Sequence, residues 1–144
     1  MKTRIDIGKT VPAAYKALDA LEKYLDASGI SQTHRELIRL RASQINGCAY
    51  CVDLHARDAL KHGEDQRRLN NLVTWKEAPF YSDAERAVLA LTEEVTLIQG
   101  RVADATYENA IAVLGEEYAA HVIMAAVTIN AWNRIGIATE MAPV

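Results

Sequence analysis

The chain has 144 residues, with 16 Lys and Arg against 19 Asp and Glu, giving a formal charge of −3 with the histidines neutral. Half of the residues are apolar, enough at this length to close a core without a metal or a disulfide, which excludes disordered, collagen-like and disulfide-scaffold classes. No basic stripe offers countercharge to phosphates, so nucleic acid is not an expected partner.

The first ten residues carry Lys2, Arg4, Asp6 and Lys9 with no apolar run behind them, unlike a secretory leader, and a cytoplasmic location is expected. Beyond them the chain holds 24 alanines, only three prolines and no sustained period-two alternation, which predicts an all-α fold forming one domain over residues 1–144. Six or seven helices follow in order, over 11–28, 31–46, 48–62, 65–76, 82–99, 104–114 and 116–134. Gly29, Gly47, Gly63, Gly100 and Gly115 each end a helical run, as left-handed C-terminal glycines do. Ser31 and Asp104 stand where N-caps belong, and Ser82 with Glu85 reads as a capping box. The most apolar stretch, 118–138, is interrupted by His121, Asn130, Asn133 and Arg134, as suits a buried helix and not a membrane span. Buried Thr128 and Asn130 in that helix need hydrogen-bond partners. Trp75 and Trp132 read as packing residues of a core or a subunit interface.

The chemistry concentrates in the third predicted helix, where the only cysteines, Cys48 and Cys51, stand three apart just after Asn46-Gly47. Free backbone N–H groups and the helix dipole at such a start favour a thiolate, and on this reasoning Cys48, nearer the start, is the more acidic thiol. The i, i+3 spacing also lies within reach of a disulfide. His55, one turn after Cys51 on the same face, is placed to relay a proton. Cys48, Cys51, His55 and Ala59 face the core side, while Asp53, Arg57 and Lys61 make a solvated charged face. Two other readings fit the same spacing: inert core cysteines beside a core histidine, or a zinc site. Zinc needs a fourth ligand, usually from a second Cys or His pair; His34, His62 and His121 are each isolated, so no metal and no cofactor are expected.

The stretch from Glu36 to His55, with a glutamate twelve residues before Cys48, the C-x-x-C pair, and a histidine four residues after Cys51, resembles the core motif of the AhpD-like alkylhydroperoxidases, within the carboxymuconolactone decarboxylase superfamily. The run from Ile129 to Ile135 is also similar to members of that family. The resemblance implies an all-helical subunit that associates through its helices into a homo-oligomer, commonly a trimer or hexamer, with thiol peroxidase activity on hydroperoxides. By position it makes Cys51 the peroxidatic cysteine, Cys48 the proton donor and resolving thiol, and Glu36 and His55 the proton relay, where spacing alone also allows Glu36 a plain ion pair with Arg39. Such an enzyme needs an external dithiol reductant, a lipoyl-bearing adaptor or a thioredoxin-like protein. A different class of function, a helical oligomeric redox-sensing or binding protein without efficient turnover, uses the same cysteine pair. A carboxymuconolactone decarboxylase-type enzyme is the other alternative, although the decarboxylation that named the superfamily needs no such pair.

Overall fold

In a computed structural model, which describes residues 4–143, eight α-helices and two 3-10 turns follow one another, and no strand occurs among the described residues. They are α1 (Ile7–Thr10), α2 (Pro12–Ala27), α3 (Gln32–Asn46), α4 (Ala49–Lys61), α5 (Gln66–Asn70), α6 (Asp83–Thr96), α7 (Asp104–Leu114) and α8 (Glu116–Ala138), with 3-10 turns at Leu72–Thr74 and Ile98–Gly100. No helix among the described residues is long and apolar enough to cross a membrane.

The centre of the arrangement is α3, against which α4, α6 and α8 all pack. It can serve three neighbours because two of its faces are apolar. Ile38 and Ala42 enter a core with Val88 and Leu91 of α6 and Val122, Ala126 and Ile129 of α8. Leu37 and Leu40 enter a second core with Ala59 of α4, Leu89, Leu72, Trp75 and Tyr81. Burying Leu- or Ile-sized side chains stabilises by about 1.5–3 kcal/mol each relative to exposure, so both cores lock onto the same helix.

Polar side chains set the register between α3 and α8. Fully buried Asn133 donates to Ser43 Oγ at 2.9 Å, and Asn46 Nδ2 donates to both Asn133 Oδ1 and Asn130 Oδ1 at 2.9 Å. Asn130 in turn donates to Thr96 Oγ1 at 3.0 Å and to the Ala126 carbonyl, and Thr128 donates to the Met124 carbonyl. The polar residues expected to need partners inside the apolar helix thus find them within this chain. Asn46 is the last residue of α3, so the same network anchors the turn that leads into α4.

Several local expectations hold: Ser31 caps α3, and Ser82 and Glu85 form a reciprocal capping box on α6. Others need correction. Asp104 is the first residue of α7 and not its N-cap; Ala103 takes that place, with its N–H bonded to Glu94 Oε2 at 2.8 Å. Gly100 does not take a positive φ, which falls one residue later, at Arg101 with φ 63° and an extended ψ of 173°. The helix expected over 65–76 breaks at Asn71, and a 3-10 turn drops Leu72 into the core. The following segment is held by Arg86, whose guanidinium reaches the carbonyls of Trp75, Lys76, Ala78 and Tyr81. The helix expected over 82–99 ends at Thr96, and the last helix runs four residues past the expected 134. The short α1, capped by Asp6, has no apolar period to reveal it.

The Asn133 network carries a measurable load. Asn133→Ala removes the donor to Ser43 Oγ, whose own hydroxyl still reaches the Arg39 carbonyl, takes an acceptor from Asn46 and leaves a gap in a buried site, so urea denaturation should report a loss of about 1–3 kcal/mol; an unchanged midpoint would mean the network contributes nothing.

Candidate functional site

Gly47 ends α3 with φ 71°, a left-handed turn that an L side chain adopts at a cost. Cys48 follows as the N-cap of α4, and its sulfur accepts the Cys51 N–H at 3.3 Å. A sulfur thus fills the capping place usually taken by a Ser or Asp oxygen, inside the positive field of the helix start. Cys48 and Cys51 are disulfide-bonded, with Cα atoms 5.3 Å apart. Both are buried, at 2 % and 4 % exposure.

The two sulfurs have different surroundings. Cys51 lines a cavity of about 320 Å³, and Cys48 does not. Helix α4 contributes Tyr50, Cys51, Leu54, His55 and Asp58 to its wall, while Tyr15, Glu22 and Asp26 of α2 and Trp132 and Ile135 of α8 complete it with Arg39 and Met141. One part of the wall is apolar and the other is charged. On the far side, α8 approaches closely at Gly136, where a Cβ would lie 3.0 Å from the Cys48 sulfur and 3.5 Å from that of Cys51.

Glu36 comes from the middle of α3 and is 3 % exposed. Its Oε1 accepts from Gln32 Nε2 at 2.7 Å and from Arg39 at 3.0 Å. Its Oε2 faces His55 Nδ1 at 3.6 Å, and neither of these buried atoms has a hydrogen-bond partner. Burial alone would push the Glu36 carboxyl up; the facing His55 imidazole and the Arg39 guanidinium outweigh it and hold its pKa below the ordinary carboxylate value. Arg39 is itself buried against its charge, and the Glu22 and Glu36 carboxylates raise its pKa. Glu22 also accepts from Arg35 at 3.0 Å and from Trp132 Nε1 at 3.0 Å. Asp26 is paired with Arg35 and Asp58 with Lys61, so each carboxylate of the charged wall has a cationic partner.

The four residues singled out by spacing, Glu36, Cys48, Cys51 and His55, are thus gathered at one place. The Glu36–Arg39 ion pair exists as well, but it is buried, and it orients the carboxylate toward His55 in place of spending it on the surface. His62, isolated in the sequence, donates from Nδ1 to the Asp58 carbonyl at the end of α4, and no group of three His, Cys, Asp or Glu among the described residues is placed to hold a metal. Sequence reasoning did not find Tyr15, Glu22 or Gly136. The first two come from α2, whose spacing says nothing of what it covers. Gly136 gave no signal either, because it lies two residues beyond the expected end of the last helix and there reads as a helix stop, whereas in the structure it sits in the last turn of α8.

A helical subunit whose central helix carries a buried glutamate behind a C-x-x-C pair defines a class. The chain belongs to the carboxymuconolactone decarboxylase family, whose family model matches residues 12–94, and within that superfamily it is AhpD-like. It is 42 % identical over 139 residues to the uncharacterised protein YdfG of Bacillus subtilis, covering 96 % of this chain and 95 % of that one. A crystal structure of a protein of unknown function from Agrobacterium tumefaciens, proposed as an AhpD antioxidant defence protein, superposes with a TM-score of 0.95 at 39 % identity, covering 99 % of each chain. An alkylhydroperoxidase AhpD core structure from Ralstonia eutropha, an uncharacterised peroxidase-related protein, shares the fold with a TM-score of 0.81 at 22 % identity, over 93 % of this chain and 72 % of that one.

Two outcomes follow from the geometry. Gly136→Ala crowds the sulfurs, and overpacking of this kind costs about 1–3 kcal/mol; thermal melts should show a larger loss for the disulfide form than for the reduced form, whose thiols can rotate away. Equal losses would show that the glycine is not there for the sulfurs. Glu36, with its folded pKa depressed, contributes stability that is fully present above its unfolded value of 4.5 and lost as pH falls through the folded one. The stability gap between wild type and Glu36→Gln, measured in urea, should therefore shrink between pH 7 and pH 3, and a pH-independent gap would contradict the assignment.

Proposed function

We propose that this protein is a thiol-dependent peroxidase of the AhpD type, reducing organic hydroperoxides through Cys51 and Cys48. The observation that carries the reading is that Cys51 lines a cavity together with His55, while the unpaired Glu36 oxygen stands behind the imidazole. Access favours Cys51 as the attacking sulfur. The helix start favours a thiolate at either sulfur, but only Cys51 meets the cavity in which a peroxide can sit.

The cycle begins with the reduced pair. The Cys51 thiolate attacks the outer peroxide oxygen, the O–O bond breaks, and the leaving alkoxide takes a proton from His55, yielding an alcohol and a Cys51 sulfenic acid. Cys48 then attacks the sulfenic sulfur, its thiol proton goes to the departing hydroxide, and water leaves as the disulfide forms. Two electrons pass from the thiols to the peroxide. An external dithiol returns them by exchange at Cys51, the sulfur that the cavity exposes. The apolar wall made by Tyr15, Leu54, Trp132, Ile135 and Met141 suits the carbon body of an organic hydroperoxide.

Association of copies through helices belongs to the same proposal. It is supported by an apolar cleft of about 620 Å³ between α6, α7 and α8, lined by Leu91, Val95, Val102, Ile123 and Val127.

Cumene hydroperoxide with a dithiol reductant tests the assignment. Cys51→Ser should lose all turnover, whereas Cys48→Ser should react once and stop with a sulfenic acid that dimedone traps on Cys51. Turnover that survives in Cys51→Ser, or dimedone found on Cys48, would refute it.

A further inference from the structure

Glu36 lines a second cavity, of about 250 Å³, on the side away from the cysteines, together with Gln32, Thr33, Ala59, His62 and Gly63. Not one residue is shared between its wall and the wall of the cysteine cavity. Among the contacts between the two walls is the pair formed by Glu36, which lines one cavity, and His55, which lines the other. Across that partition stand the two buried atoms without hydrogen-bond partners, Glu36 Oε2 and His55 Nδ1, 3.6 Å apart.

A relay that gives a proton to a leaving oxygen must be recharged. With an apolar hydroperoxide filling the cysteine cavity, water is displaced from the His55 side, so recharging from there would have to wait for product release. The second cavity is walled by polar side chains and has room for several waters at about 30 Å³ each. Gln32 stands at its wall and fixes the carboxylate: its amide donates to Oε1 at 2.7 Å, beside Arg39 on the same oxygen, which leaves Oε2 for the imidazole. We propose that the cavity beside Gln32 is a proton port, separate from the peroxide entrance, through which solvent recharges the Glu36–His55 pair, and that Gln32 is the positioning residue of that pair.

This inference rests on the peroxidase reading and assigns each half of the proton step. His55 gives its proton to the alkoxide; the ionised Glu36 then takes a proton from solvent in the port and passes it across the partition to the neutral imidazole, so one solvent proton enters for each alcohol formed and Glu36 returns to its carboxylate form. No further oxidant or reductant is involved. Gln32 and Thr33 are exposed, so the fold does not depend on either side chain. Gln32→Leu removes the amide that orients Glu36, and Thr33→Trp narrows the port without touching the Glu36 hydrogen bonds.

The test is single-turnover oxidation of the reduced protein by cumene hydroperoxide, in H2O and D2O, over a range of peroxide concentration and pH. Both variants should slow oxidation at least about fivefold, a small part of the roughly 10²–10⁴ that general acid–base groups supply. Both should also raise the solvent isotope effect and leave the saturating peroxide concentration unchanged, and in Gln32→Leu the acid limb of the pH profile should move to higher pH. A wild-type rate and isotope effect in either variant overturns the port. If wild type itself is not oxidised, the peroxidase reading fails, and the pH profile of Cys51 alkylation by iodoacetamide then decides: a shift in Gln32→Leu upholds the coupling of Gln32 to the cysteine, and coincident profiles overturn it.

Discussion

A carboxylate placed in the core of a helical protein constrains everything around it. Glu36 is almost fully buried in the central helix, and an ionised group there is costly unless charges and hydrogen bonds compensate it. Arg39 supplies the charge, and Arg39 in turn needs Glu22, which also holds Arg35 and the indole of Trp132. This chain of charges ties α2 to α3 and brings α8 over the cavity. Removing one member of such a buried set exposes the others to an uncompensated charge, so the wall of the site and the packing of three helices are one problem with one solution.

The rest of the geometry follows from where the central helix stops. Gly47 turns the chain, Asn46 ties the turn to α8, and Cys48 becomes the cap of α4 with its sulfur on the Cys51 N–H. One turn later His55 arrives opposite Glu36. Gly136 lets α8 close over the disulfide. The result separates the two sulfurs by access more than by chemistry, one facing a cavity and the other packed behind it.

Much of this was legible in the chain itself. Glycine stops at 29, 47, 63 and 115, the cap at Ser31 and the capping box at Ser82 all report local energetics, and local energetics survive folding. The gathering of Glu36, Cys48, Cys51 and His55 was legible because two of the three spacings lie within one helix and the third spans a single tight turn. What escaped was set by tertiary contact. Asn71 breaks a helix that its neighbours would continue because Leu72 and Trp75 gain more from the core than from helical hydrogen bonds. Ala103 caps α7 without a side-chain oxygen because Glu94, on another helix, takes its N–H. The cover that α2 lays over the site, and the two separate cavities on either side of Glu36, depend on pairings between distant segments that no local period encodes.

The central claim is that Cys48 and Cys51 cycle between thiols and a disulfide at the expense of a hydroperoxide. The most direct measurement is the thiol count and intact mass of the reduced protein before and after one equivalent of cumene hydroperoxide. The account predicts the loss of two thiols, a mass lower by about two hydrogens, cumyl alcohol in equal amount, and full reversal by a dithiol. Two thiols that persist unreacted, with the peroxide unchanged, would contradict it and return the cysteine pair to a structural role.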